Sequence, residues 1–201
     1  MPGRDPDRNR QAVTYLAHYD HVGFGEPEEG DAIWNGFIDN ASGTAVVLEL
    51  ARIWESVRPA HPVLFLFTSA EEQGLLGANW FVHRPPVKLD RIKAVINIDG
   101  GFPPGDIRSW NLAASPSFRS AQKTASRMEK NGHEVMLRPL SPDSDHWPFH
   151  KAGIPALFLY PSRQADSDHI HTPDDEWQDD FPFEGLRLYA EMALLLGQSL
   201  Q

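Results

Sequence analysis

Residues 62–72 read Pro-Val-Leu-Phe-Leu-Phe-Thr-Ser-Ala-Glu-Glu, an apolar run that ends in two adjacent carboxylates. Val63–Phe67 shows no apolar–polar alternation, which predicts a central strand buried on both faces. Two other runs end in the same manner. Ala12–Ala17 (AVTYLA) leads into His18-Tyr19-Asp20, and Lys93–Ile98 leads into Asp99. Parallel strands bring such terminal residues to one sheet edge, the edge at which open α/β folds hold ligands. Asp39 and His171 complete a set of oxygen and imidazole groups without thiolate. Such a set suits a pair of zinc ions or similar divalent metals.

Outward from these runs, strand and helix patterns alternate. Val22–Asn35 is rich in Gly and Glu and reads as a loop. Ala45–Val57 reads as a helix, with Val46, Val47, Leu50, Ile53, Trp54 and Val57 at helical spacing. Further helices are expected at Gly74–His83, Pro116–Lys130, Asp145–Ala152 and Glu184–Ser199, and further strands at Trp110–Ala113, Glu134–Leu137 and Pro155–Tyr160. The polar stretch Pro161–Phe183 reads as a loop that carries His171. This alternation predicts an α/β three-layer sandwich around a central, mostly parallel mixed sheet.

The 201 residues suit one catalytic domain over 11–201, preceded by a polar and mobile arm at 1–10. Twenty-eight acidic against 18 basic residues give a net charge of −10, which argues against nucleic-acid or anionic-membrane partners. There is no cysteine, so disulfides and thiolate metal sites are excluded. No run reaches transmembrane length, and residues 1–10 lack the apolar stretch of a signal peptide. The compartment stays open between cytoplasm and export.

Each polar group has an ordinary alternative. His18-x-Asp20 places two side chains on one side of an extended chain, so one can bind metal while the other orients an imidazole, yet the pair also suits a surface. Asp39, in Asn35-Gly-Phe-Ile-Asp-Asn-Ala-Ser-Gly-Thr44, is either a helix cap or a carboxylate shared by two metals. Glu71 and Glu72 are either solvated or divide metal binding from proton transfer. Asp99 closes a buried strand and needs a partner there. His169 competes with His171 at a spacing of two. His61, His83 and His133 sit at element ends and read as surface residues, whereas His146 precedes a buried strand and is a candidate pocket residue.

Taken in order, AHYDHVG (17–23), NGFIDNASGTA (35–45), SAEEQGLLGA (69–78), NIDG (97–100), SDHWPFHKAGIPALF (144–158) and HTPDDEW (171–177) resemble the co-catalytic dizinc aminopeptidases of the bacterial leucyl-aminopeptidase and aminopeptidase Y type. The resemblance spans residues 12–200. It implies that His18 and Asp99 hold one zinc, that Glu72 and His171 hold the other, and that Asp39 bridges them. It also makes Asp20 the residue that orients His18 and Glu71 the general base, and it selects His171 over His169. Co2+ or Mn2+ are expected substitutes for the two Zn2+. The family usually has a helix and at least one strand ahead of the H-x-D strand. Only about ten polar residues precede it here, so an exposed sheet edge and a homo-oligomer are expected. Some relatives place a tyrosine before the last histidine as an oxyanion donor; here that residue is Ile170, which leaves Tyr160 and His146 as candidates.

The activity implied is release of N-terminal residues from a peptide substrate with a free N-terminus. A water held between the metals becomes the nucleophile, and Glu71 takes its proton and passes it to the leaving amine. The rivals are a related dipeptidase or deacylase, a single-zinc glutaminyl cyclase, and a binding module of the same fold without catalysis. For the substrate pocket the candidates are His146, Trp147, Tyr160 and Ile170, with Trp110 and Phe149 as further aromatic candidates.

Overall fold

The computed structural model describes residues 1–5, 11–118, 121–165, 167–181 and 183–201. Its strands are β1 (Ala12–His18), β2 (Gly23–Glu28), β3 (Asp31–Trp34), β4 (Val63–Thr68), β5 (Ile92–Ile98), β6 (Ser109–Ala114), β7 (Glu134–Pro139) and β8 (Ala156–Pro161). Its helices are α1 (Ser42–Val57), α2 (Leu76–His83), α3 (Ala121–Glu129), α4 (His146–Lys151) and α5 (Phe183–Ser199). Six strands form one sheet in the order β4-β1-β5-β8-β6-β7. β4, β1, β5 and β8 run parallel, and β6 pairs antiparallel with β8 but parallel with β7. The sheet is therefore mixed and mostly parallel, as expected from the alternation of elements.

The pleat divides the core between two helical layers. Val13, Tyr15 and Ala17 of β1, with Ala94, Ile96 and Ile98 of β5, meet Val46, Leu50 and Trp54 of α1 and Leu188, Met192 and Leu196 of α5. The alternate residues Leu16 and Val95 meet Ala78 and Phe81 of α2 and Phe149 of α4. A side-chain period of two allows one strand to serve both layers. Hydrogen bonds tie the first layer together: Trp54 Nε1 donates to Tyr15 Oη at 3.1 Å, and Tyr15 Oη donates to the Ala193 carbonyl at 3.1 Å.

Four expectations change. Val63–Phe67 is the edge strand β4, and Leu64 to Phe67 are only half-buried. Its apolar faces reflect the layers above and below, which an edge strand shares with a central one. Val22–Asn35 is a hairpin of β2 and β3, in which Phe24 pairs with Ile33 and Gly23 with Trp34. Met1–Asp5 are held against the β4 side: Met1 N donates to the Val63 carbonyl at 2.8 Å and Val63 N to the Met1 carbonyl at 3.0 Å. Residues 6–10 of the expected arm lie outside the described residues. His133 is buried, because Trp110 Nε1 of β6 donates to its Nδ1 at 3.0 Å. Among the described residues, no helix is long and apolar enough to cross a membrane.

Candidate metal centre

β1, β4 and β5 end side by side, with His18 opposite Thr68 in the β1–β4 register. Their carboxyl ends deliver His18, then Glu71 and Glu72, then Asp99, to one edge, where the sheet twist and the following turns converge. The turn after β4 places Ala70 at φ 56° and Leu75 at φ 59°, and His171 sits at φ 61°. Left-handed backbone costs a non-glycine residue about 1–2 kcal/mol, so its occurrence on both sides of the site marks turns held by their surroundings.

Asp39 reaches the same edge from a tight turn, Phe37–Ala41, at the start of α1. Its backbone is fixed by a buried carboxylate from the loop after His171. Asp175 Oδ1 accepts from Ile38 N at 2.6 Å and Oδ2 from Asp39 N at 3.1 Å. Asn40 clamps the other side, donating to the Ile98 carbonyl at 3.0 Å and accepting from Gly43 N at 3.0 Å. Gly43 must be glycine for this, since a Cβ there would lie 2.1 Å from Asn40 Oδ1. The motif around Asp39 is thus a device for aiming one carboxylate.

That carboxylate lies between two donor groups. Asp39 Oδ1 is 3.2 Å from His18 Nε2, which is also 3.2 Å from Asp99 Oδ1. Asp39 Oδ2 is 3.0 Å from His171 Nε2, which is 3.1 Å from Glu72 Oε2. Ligands to one zinc at about 2.0–2.2 Å stand no more than about 4.4 Å apart, and all these separations satisfy that limit. The donor atoms of His18, Glu71 and Asp99 lie within 4.8 Å of one another, as do those of His21, Asp39, Glu72 and His171. Oxygen and imidazole donors of this kind fit divalent cations.

Second contacts aim the donors. His18 Nδ1 lies 3.1 Å from the Asp20 carbonyl and 3.7 Å from Asp20 Oδ1. In the neutral ring that a metal ligand requires, donation from Nδ1 to the carbonyl would leave the Nε2 lone pair toward Asp39 and Asp99. The backbone of Asp20 therefore makes the closer contact, where its carboxylate was expected to. Ser144 Oγ donates to Asp99 Oδ2, and Tyr189 Oη donates to the Asp99 carbonyl at 3.2 Å.

The charges are crowded and mostly buried. Burial alone lowers the affinity of His18 for a proton, but hydrogen bonds and charge from Asp39 and Asp99 push its imidazole up to about 12. Burial raises Asp99, yet His18 and Ser144 hold it below the ordinary range. Burial also raises Glu72, and the His21 contact and the His171 charge bring it below its usual value. Burial, reinforced by the Asp99 charge, pushes Glu71 up to about 8. In each case the pocket favours positive charge among the carboxylates.

A cleft of about 550 Å³ opens over these groups, with Leu75, Phe158, Tyr160 and Ile170 among its walls. Of the expected pocket residues, Tyr160 and Ile170 line it. His146 does not: it is fully buried, stacked on Phe158, with Nε2 2.8 Å from the Ser141 carbonyl. Trp147 packs on His150 instead of the cleft. Trp110 and Phe149 are wholly buried core. His169 stays out of both donor groups, and His171 enters. His21 stands in this second group and is absent from the residues singled out in the sequence, although it lies in the AHYDHVG stretch.

Comparison with known proteins agrees with this architecture. Over 175 residues the chain is 32% identical to aminopeptidase YwaD of Bacillus subtilis, covering 81% of the chain and 35% of that protein. The structure of BSAP, a zinc aminopeptidase from Bacillus subtilis, superposes with a TM-score of 0.79 at 25% identity, covering all of this chain and 48% of the other. A glutaminyl cyclase of Bacteroides thetaiotaomicron shares the fold, with a TM-score of 0.74 at 18% identity over 96% of this chain and 75% of that one. The chain thus spans about a third of this curated relative and about half of the BSAP chain. The model of peptidase family M28 matches residues 1–195. With that match over nearly the whole sequence, the chain belongs to peptidase family M28.

Proposed function

We propose that the chain is a zinc-dependent aminopeptidase that uses two metal ions to release the N-terminal residue of a peptide. One observation carries this reading: the two oxygens of Asp39 are divided, Oδ1 toward His18 at 3.2 Å and Oδ2 toward His171 at 3.0 Å. A carboxylate so divided suits a bridge between two ions. His18 and Asp99 would hold one ion, and Glu72 and His171 the other. Two bound zinc ions supply a lowered pKa for water and polarisation of the scissile carbonyl.

Glu71 is the base in this scheme. Its carboxyl stands with the donor atoms of His18 and Asp99, within 4.8 Å of them, beside the place where a water on the ions would be held. It accepts the proton of the attacking water as oxygen bonds to the carbonyl carbon. It returns that proton to the nitrogen as the C–N bond breaks, giving the free amino acid and the shortened peptide. Leu75, Phe158 and Ile170 exclude water around the departing side chain and favour a neutral, apolar N-terminal residue. Tyr160, on the same wall, is the candidate donor to the oxyanion.

The test is a panel of aminoacyl anilides with free and N-acetylated amines, with an N-terminal glutamine peptide alongside. Zinc-replete protein should cleave the free amines and ignore the acetylated ones. Equal turnover of both would identify a deacylase. Ammonia release from the glutamine peptide without anilide cleavage would identify a cyclase.

A further inference from the structure

We propose that His21 is a fourth protein donor to the Glu72–His171 metal position, so that the two positions bind metal unequally. The inference rests on the two-metal reading above and extends it to a residue outside that ligand set.

His21 Nδ1 lies 2.9 Å from Glu72 Oε1 and 4.0 Å from Asp39 Oδ2. Both separations fit donors sharing one ion, given zinc–ligand distances of about 2.0–2.2 Å. Only 5% of the His21 side chain is exposed. At 2.9 Å a ring N–H would normally be hydrogen-bonded to the carboxylate. The carboxylate is the one polar group that Nδ1 meets at this distance, and Nε2 meets no hydrogen-bond partner among the described residues. Nδ1 thus faces two carboxylates, Glu72 and Asp39, that the two-metal reading gives to one ion, and a cation among the three would take its lone pair as a further donor.

The surroundings hold the ring in place. Gly36 has φ 70°, and a Cβ there would lie 2.5 Å from His21 Cβ and Cγ. The His171 ring tilts against it at a centroid distance of 5.4 Å. Gly36 also opens the turn that carries Asp39, so one glycine serves the bridging carboxylate and the extra imidazole.

The consequence is an asymmetry. The Glu72 position has Glu72, His171, Asp39 Oδ2 and His21, four protein donors. The His18 position has His18, Asp99 and Asp39 Oδ1; Glu71, which stands beside them, is the proton carrier in the two-metal reading and is not counted as a ligand. Closed four-donor sets hold zinc structurally, whereas three-donor sets keep a place for water or substrate. The Glu72 ion is therefore the tightly held one, and exchange takes place at the His18 position.

The test uses the wild type, His21→Ala and His21→Asn. The asparagine amide nitrogen occupies the place of Nδ1 and can donate a hydrogen bond to Glu72, but it is a poor ligand. Zinc affinity is measured by competition with a chelator, and the first equivalent of Co2+ is followed by its visible absorption. Near-ultraviolet circular dichroism checks the fold. Two ions of unequal affinity are expected in the wild type. Both variants should weaken the tighter ion by at least about tenfold, on the scale of changes next to metal ligands, and both should alter the first cobalt spectrum. His21→Asn with wild-type affinity and spectrum would overturn the proposal, because His21 would then only hydrogen-bond Glu72. A wild type holding a single ion would overturn the two-metal reading instead. The cobalt spectra of the variants would still decide whether His21 binds that ion.

Discussion

Replacing Asp175 with asparagine tests how the centre is built. The Asp175 carboxylate is fully buried and accepts two backbone hydrogen bonds, from Ile38 N at 2.6 Å and Asp39 N at 3.1 Å. Asparagine keeps one acceptor and turns an amide N–H toward the other backbone N–H. A hydrogen bond to a charged group contributes about 1.5–3 kcal/mol, and a stranded buried donor costs about 1–3 kcal/mol. Asparagine also relieves the burial of a charge, which holds the Asp175 pKa above its ordinary value. The net loss is expected at about 2–3 kcal/mol. For a chain of this size that lowers the melting temperature by about 4–12 °C. The same change frees the backbone of Asp39, so zinc affinity should fall as well. Calorimetry on wild type and Asp175→Asn, each with and without zinc, reads both effects. A melting temperature within 1 °C of wild type with unchanged zinc affinity would refute the claim that Asp175 fixes the Asp39 turn.

The adjacent glutamates are expected to separate by role. Glu71→Gln should keep both metals and lose at least about 10²–10⁴-fold in kcat, whereas Glu72→Gln should lose one metal; the reverse pattern in metal analysis would exchange the assignments. His133 should titrate below 6.5, because burial opposes its charged form and Trp110 donates to Nδ1. A folded-state value below the unfolded one means that its stabilisation is present above about pH 6.5 and is lost as pH falls through the folded value. NMR titration reads this directly, and a value at or above 6.5 would contradict it.

The fold was legible where side chains carry direction. Ala12–Ala17 and Lys93–Ile98 are apolar on both faces and end in His18 and Asp99, so their place beneath a ligand edge follows from pattern alone. Lateral position in the sheet has no such signature. Val63–Phe67 looks like a central strand because two helical layers cover it, although it forms the edge. The hairpin at Gly23–Trp34 was hidden by a polar, glycine-rich sequence with few strand formers. His133 looked exposed beside Asn131-Gly132, and only Trp110, distant in sequence, buries it. At the centre, His146 was misplaced because its position depends on contacts with Ser141 and Phe158. His21 has no run or spacing of its own that marks it beside His18-x-Asp20. Its one local signal is Gly36, whose missing side chain makes room for the ring.

In the proposed function two ions share Asp39. The most direct test is to strip the protein of metal, add zinc back in steps, and record bound zinc and anilide hydrolysis on the same samples. Two equivalents bound per chain are expected, with activity reaching its plateau at the second. Full activity at one equivalent, with no second ion bound, would contradict it.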